Sequence, residues 1–390
     1  MNRFNSIFGQ ILRLFSKREF FETVHAIQAE RGAKGFSCWD QFVAMLFCQL
    51  GQAHSLREIC GGLASCFGKA KHLGLHAAPK RSTLSYANEH RPWQLYEKVF
   101  YQLLGQCRQL DFGKRKFRFR NKLFSLDATV IELCARLFDW AKFRQTKGAV
   151  KLHLLLDHDG YLPVFAHITD GKRHEVKVAQ AMIFPPGSIV AIDKGYVDYE
   201  LFWRWTQGGV FFVTRQKDNA RYLVVEERTL PKHRNILRDQ IIEMEVLTSH
   251  RKYPGRLRRV EVWDEENKKI IVLLTNHMTF GSTTIAAIYK DRWQIEIFFK
   301  TIKQNLRIKT FVGTSPNALL IQIWTALIAV LILKYLKFRS LFQWSLSNLV
   351  AMLRYNLFTY RDLWTWINQP FEPPPITLMQ EQLALNWTAS

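Results

Sequence analysis

Tyr289, Arg292, Glu296, Lys300 and Lys303 follow one another at intervals of three, four, four and three residues. On a helix turning 100° per residue they share an arc of roughly 80°. Ile295, Phe298, Phe299, Ile302 and Leu306 fill a second arc, roughly 100° wide, suited to a core. The spacing therefore predicts one amphipathic helix from Ile288 to Leu306. A carboxylate flanked by a phenol and a guanidinium on one side and two ammoniums on the other suits a metal ligand placed among phosphate contacts. An ordinary solvated face with a Glu296–Lys300 pair is the alternative. It accounts for the charges but not for their order.

Two aspartates could join Glu296. Asp127 lies within FSLDATVIEL (Phe124 to Leu133), where Phe124, Leu126, Ala128 and Val130 share one strand face and Ser125, Asp127 and Thr129 the other. A charge on a sheet face costs free energy unless it is paired or metal-bound. Asp193 closes the apolar run SIVAID, at the carboxyl end of a strand, where open α/β sheets gather their ligands. Two divalent cations about 4 Å apart, clamping a phosphodiester, need such a cluster of hard oxygen ligands. Three carboxylates from separate elements would supply it. Lys194, next in the chain, is a candidate phosphate contact. Asp157, Asp159 and Asp170 fall at strand ends or turns, where Asp serves the backbone; Asp139, Asp198 and Glu200 fall in loops or near helix starts, and His174 at one.

The elements that must position these groups read as a mixed α/β sheet. Ala149 to Asp157 and Tyr161 to Thr169 are strands joined by a turn with Asp159-Gly160, a strong hairpin signal. His174 to Met182 reads as helix, Ser188 to Asp193 as buried strand, Tyr199 to Gln207 as helix and Gly209 to Thr214 as strand. Four short strands follow, at Val224-Val225, Glu243 to Leu247, Arg259 to Trp263 and Lys269 to Thr275. They read as a β-rich insertion. Ala318 to Leu333 reads as a buried apolar helix, followed by a second helix near Leu341 to Ile367 and a tail carrying Pro373, Pro374 and Pro375.

Ahead of the sheet, residues 1–115 read as helical. Trp39 to Leu50 and Ser55 to Ala64 are two helices, Ser82 can cap a short third through His90, and Pro92 permits a fourth to about Gln106. A polar third helix entered through Lys80 and Arg81 fits a helix-turn-helix variant, with Arg81 and Ser82 against DNA. Three small packed helices are the alternative. Lys114 to Lys122 (KRKFRFRNK) is an edge strand, a basic linker or a phosphate-tracking strip.

A formal net charge of +22 over 390 residues, with pI near 9.8, favours polyanionic partners and above all nucleic acid. An anionic membrane surface is the rival. Ala318 to Leu333 spans 16 residues and carries Gln322 and Thr325, short of the roughly 20 a membrane span needs, so no membrane partner is expected. Six cysteines without a C-x-x-C pair fit neither a zinc spacing nor a secreted disulfide framework, and point to a reducing cytoplasm.

The motifs together resemble the DDE transposases of bacterial insertion sequences, built on an RNase H-like core of the retroviral-integrase type. Tyr289, Arg292, Glu296 and Lys303 match the Y-x2-R-x3-E-x6-K mark of the insertion-sequence-four family. SLDATVI and AIDKGY match its two aspartate regions. The resemblance runs from about Phe117 to Phe311. It implies Asp127, Asp193 and Glu296 as a catalytic triad binding two Mg²⁺ ions, with Mn²⁺ able to substitute. Tyr289, Arg292 and Lys303 would contact DNA phosphates, and Lys300 lies on the same stripe. In that family a tryptophan of the insertion stacks on a base flipped from the DNA end. Trp263 is the candidate here, a core tryptophan being the alternative.

On this reading residues 1–115 form a helical domain that binds DNA ends, and 116–215 and 284–335 form the two parts of the catalytic core. Residues 216–283 form the insertion and 336–390 a C-terminal helical region. The expected partners are the terminal repeats, target DNA and a second copy at synapsis, in a bacterial cytoplasm at the nucleoid. An RNase H-like nuclease that cuts without joining, or a catalytically silent DNA-binding regulator, remain the other readings.

Overall fold

The computed structural model describes residues 5–66, 68, 70–110, 115–134, 138, 140, 142–144, 147–170, 175–232, 235–306 and 311–372. Six helices come first: α1 (Ile7–Leu12), α2 (Lys17–Ala26), α3 (Cys38–Leu50), α4 (Leu56–Ser65), α5 (Arg81–His90) and α6 (Gln94–Arg108). Serines 6, 16, 37 and 55 cap the first four through their side chains, and Ser37 forms a reciprocal capping box with Asp40. Ser82 does not cap α5. Lys80 holds the cap position without a side-chain bond, and Ser82 lies exposed in the first turn.

The sheet strands are β1 (Leu123–Cys134), β2 (Lys142–Arg144), β3 (Lys147–Asp157), β4 (Leu162–Asp170), β5 (Ile189–Ile192), β6 (Phe211–Arg215), β7 (Tyr222–Glu227), β8 (Ile236–Met244), β9 (Leu257–Asp264) and β10 (Lys269–Thr275). Helices α7 (Glu175–Gln180), α8 (Tyr199–Gln207) and α9 (Leu247–Lys252) lie between them. Among the described residues the strands run β2-β3-β1-β5-β6-β10-β9-β8-β7, with β4 also paired to β3. β4, β3 and β1 are antiparallel, while β1, β5 and β6 are parallel. This is the mixed sheet of an RNase H-like core. The insertion strands do not form a separate body, because β10 pairs directly with β6 and prolongs the same sheet. Within them β8 lies earlier than expected, and Leu247 begins a helix rather than ending a strand.

β5 explains how the sheet is clothed. Its residues alternate between two cores: Val190 and Ile192 pack with Leu201, Phe202 and Trp205 of α8, Ile189 and Ala191 with Ile285 and Ile288. A strand buried on both faces reads as a continuous apolar run. The last helices are α10 (Ser282–Asp291), α11 (Trp293–Asn305), α12 (Pro316–Arg339), α13 (Leu346–Asn356) and α14 (Leu363–Asn368). The single C-terminal helix expected after α12 is thus two. α12 is also longer than its apolar run, at 24 residues, and long and apolar enough to cross a membrane. Here it is buried in protein, packed with α3, α6 and α13 in one core that also takes Leu152, Leu154 and Leu156 of β3. The expected His174 helix start, Asp139 and the proline tail lie outside the described residues.

Candidate active site

β1 and β5 bring the two aspartates together. Leu126 pairs with Ile192 in parallel register, so Asp127, within β1, lies next in register to Asp193, which directly follows the carboxyl end of β5. Asp127 keeps 17% of its side-chain surface exposed and Glu296 33%. Glu296 sits in the first turn of α11, where the positive end of the helix favours its charge.

Arg292 joins them. One guanidinium nitrogen donates to Asp127 Oδ2 at 3.2 Å and the other to Glu296 Oε1 at 2.7 Å. Its Nε is buried without a hydrogen-bond partner, and the group lies 5.4 Å from the centre of the Tyr289 ring. Burial works against the Arg292 charge, but Tyr289, Asp127 and Glu296 more than offset it and hold its pKa above the ordinary value. Burial also raises the Tyr289 phenol; Arg292 opposes that and nearby Asp193 adds to it. The predicted helix is therefore interrupted at Arg292, where α10 ends and α11 begins. The interruption is shallow, since Arg292 keeps helical angles (φ −52°, ψ −30°).

The other expected site residues are dispersed. Lys303 Nζ donates to the Val130 carbonyl of β1 at 2.9 Å, and Lys300 is exposed. Lys194 approaches Asp218 at 3.5 Å. Trp263 is 36% exposed on β9, so the core alternative does not hold for it. Arg81 and Ser82 are exposed on α5, which also presents Tyr86 stacked on His90 at 4.0 Å. The basic strip is largely engaged with the chain's own acids: Lys116 with Asp291, Arg115 with Asp159, and Lys122 with Asp157 and Asp159. Sequence reasoning missed Asp291, whose side chain is almost fully buried. The signal available was its place beside Arg292.

Among the described residues no three His, Cys, Asp or Glu side chains are gathered closely enough to hold a metal ion as they stand. A guanidinium stands between two of the three carboxylates. In type the donor set fits a hard divalent cation: carboxylates from three elements at one opening, already stabilised by a positive charge the chain itself provides.

Residues 118–332 match the family described as the transposase DDE domain, and residues 3–76 match a domain of unknown function. A Sinorhizobium fredii protein named as a transposase is 32% identical over 261 residues, 66% of this chain and 71% of its own. A Geobacillus stearothermophilus protein named as the transposase of an insertion sequence element is 26% identical, over 65% of this chain and 67% of its own. The piggyBac transposase in a synaptic complex with hairpin DNA is similar at 10% identity and a TM-score of 0.41, over 96% of this chain and 84% of that one. The family match over more than half of the chain defines an enzyme of phosphoryl transfer on DNA. The chain belongs to the DDE transposases of insertion sequences. Its family's chemistry depends on divalent metal ions.

Proposed function

We propose that the protein binds the terminal inverted repeats of its own element, cuts them at the 3′ ends and joins those ends to target DNA. What supports this reading is that the adjoining strands β1 and β5 carry Asp127 and Asp193, and that Arg292 bonds both Asp127 and Glu296. Two Mg²⁺ ions, or Mn²⁺ in their place, would be held by these carboxylates and would supply water activation and stabilisation of the leaving oxygen. In the first step water adds to phosphorus and the 3′ oxygen leaves as a hydroxyl. That hydroxyl then attacks a second phosphodiester and displaces another 3′ oxygen. Membership of the insertion-sequence-four group would direct that hydroxyl first at the opposite strand of the element end, giving a hairpin that water reopens to a free 3′-hydroxyl before the end joins target DNA.

Arg292 and Tyr289 face the scissile phosphate in this reading, and Arg292 can grip it with two parallel hydrogen bonds. Lys300, Lys303 and Lys194 follow the flanking backbone as point charges. Trp263 offers an exposed ring for a flipped base, and Arg81 and Ser82 lead the exposed face of α5 toward the repeat. Two copies hold two ends at synapsis, in the cytoplasm at the nucleoid. The test is incubation with the flanking element ends and Mg²⁺, with products sized on a denaturing gel. Asp127→Asn, Asp193→Asn and Glu296→Gln should each lower cleavage by at least about 100-fold while leaving DNA affinity in place. Cleavage without joined products would favour the nuclease reading, and full activity in any one variant would remove that residue from the triad.

A further inference from the structure

The interruption at Arg292 lacks a sequence cause. Ile285 to Phe299 holds neither proline nor glycine, the residues behind most sharp helix irregularities. What differs is the direction of two adjacent side chains. Arg292 reaches to Asp127 and Glu296. Asp291 points into a separate buried cluster, where it meets His158 Nδ1 at 2.6 Å, Lys116 Nζ at 2.5 Å and the Tyr161 hydroxyl at 3.2 Å.

The cluster returns to the strand it started from. His158 Nε2 lies 2.7 Å from Ser125 Oγ, and Ser125 precedes Asp127 by two positions on the same face of β1. Ser125, His158, Asp291, Arg292 and Asp127 thus close a ring whose two anchors both belong to β1. In this arrangement Nδ1–H donates to the Asp291 carboxylate, and Nε2 meets the serine hydroxyl. Burial raises the Asp291 carboxyl, but the bonds from His158 and Lys116 outweigh it and hold the pKa below the usual carboxylate value. The order serine–histidine–aspartate is also that of a hydrolytic triad. Ser125 is fully buried, though, and Lys116 already neutralises the acid, so no substrate reaches the hydroxyl.

We propose that Ser125, His158 and Asp291, braced by Lys116 and Tyr161, are positioning residues that set the α10–α11 junction and so fix where Arg292 and Glu296 stand relative to Asp127. The proposal rests on the reading of Asp127 and Glu296 as reacting-centre residues. A displacement of about 1 Å at a reacting centre can cost on the order of 100-fold in rate. Outer partners of metal ligands act on a scale of about 10–100-fold.

The test uses the full chain. His158→Ala should slow single-turnover cleavage of end DNA by about 10–100-fold and weaken Mn²⁺ binding by the DNA-free protein by about tenfold. Its DNA affinity and salt dependence should stay at wild-type values. His158→Gln, which keeps a donor and an acceptor, should recover most of both losses. A folded His158→Ala protein with wild-type rate and Mn²⁺ affinity overturns the proposal. So does a loss that tracks melting temperature and is not recovered by His158→Gln. If His158→Ala does not fold, Lys116→Ala and Tyr161→Phe take its place, since Lys116 is 57% exposed. Together they should lower rate and Mn²⁺ affinity, and unchanged values overturn the proposal. Should the wild type bind Mn²⁺ but not cut, the functional reading fails, while the Mn²⁺ affinities of the variants still decide the clamp.

Discussion

Truncating Arg292→Ala would remove the guanidinium that bonds both Asp127 and Glu296. Breaking a fully buried ion pair by deleting one partner costs about 3–5 kcal/mol, because the remaining charge loses its compensation. Arg292 is nearly buried, at 9% side-chain exposure, but Asp127 and Glu296 keep 17% and 33%. Water can therefore screen the freed carboxylates, and about 2 kcal/mol is the fitting magnitude. At about 2–4 °C per kcal/mol for a domain of this class, the melting temperature in chelator should fall by roughly 4–8 °C.

Divalent cation should reverse that loss. A unit charge about 4 Å from another at an effective dielectric near 20 is worth up to about 4 kcal/mol, and Arg292 imposes repulsion of that kind on any incoming cation. Arg292→Ala should bind Mn²⁺ at least about tenfold more tightly than wild type without DNA, and should regain its melting temperature in Mn²⁺. Chemistry should nonetheless slow, because the bidentate phosphate grip is gone. Calorimetric Mn²⁺ titration and thermal melts with and without chelator read all of this. Identical Mn²⁺ affinity and identical melts in chelator would show that the guanidinium does not stand in for a cation.

Two other outcomes follow from the core. Lys334 is buried in α12, and burial, with Lys337 nearby, lowers its pKa from 10.5 to about 7. The unfolded chain thus binds more protons between those values, so this group's contribution to stability rises with pH across about 7–10.5 and its full penalty applies below 7. Lys334→Met should stabilise the protein by a few kcal/mol at pH 6, with the gain fading toward pH 10, as denaturant titrations at both ends would show. Deleting residues 1–113 should yield a protein that aggregates rather than an intact core with lost end preference, because α3, α5 and α6 pack on α12. A soluble, cooperatively melting truncation would refute this.

The strands that carry the aspartates were legible because their patterns are local. β1 alternates around Asp127, and β5 runs apolar up to Asp193, so a period of two and a buried run suffice. The register that sets Asp127 beside Asp193 follows once the two strands are parallel neighbours. β8 was misplaced for a physical reason. Asp239 and Gln240 lie mid-strand and buried, and their polarity reads as loop. Asp239 is paired bidentately with buried Arg258, at 2.8 and 2.7 Å, and Gln240 accepts from Arg259. Hydropathy registers each member of such a pair as polar, although together they are compatible with a sheet interior.

The helix carrying Glu296 shows the same limit at the site itself. Its stripe of Tyr289, Arg292 and Glu296 is a property of spacing and could be read directly; the break within the stripe could not. Asp291 finds His158 across 133 positions and Lys116 across 175, and no window of sequence contains such a pairing. The alternatives left open for the basic strip have the same origin. Lys116 and Lys122 look like free phosphate contacts until Asp291, Asp157 and Asp159 are seen to take them. Part of the positive charge of a chain of net charge +22 is thus neutralised internally, Lys116 by the buried Asp291 at the end of α10.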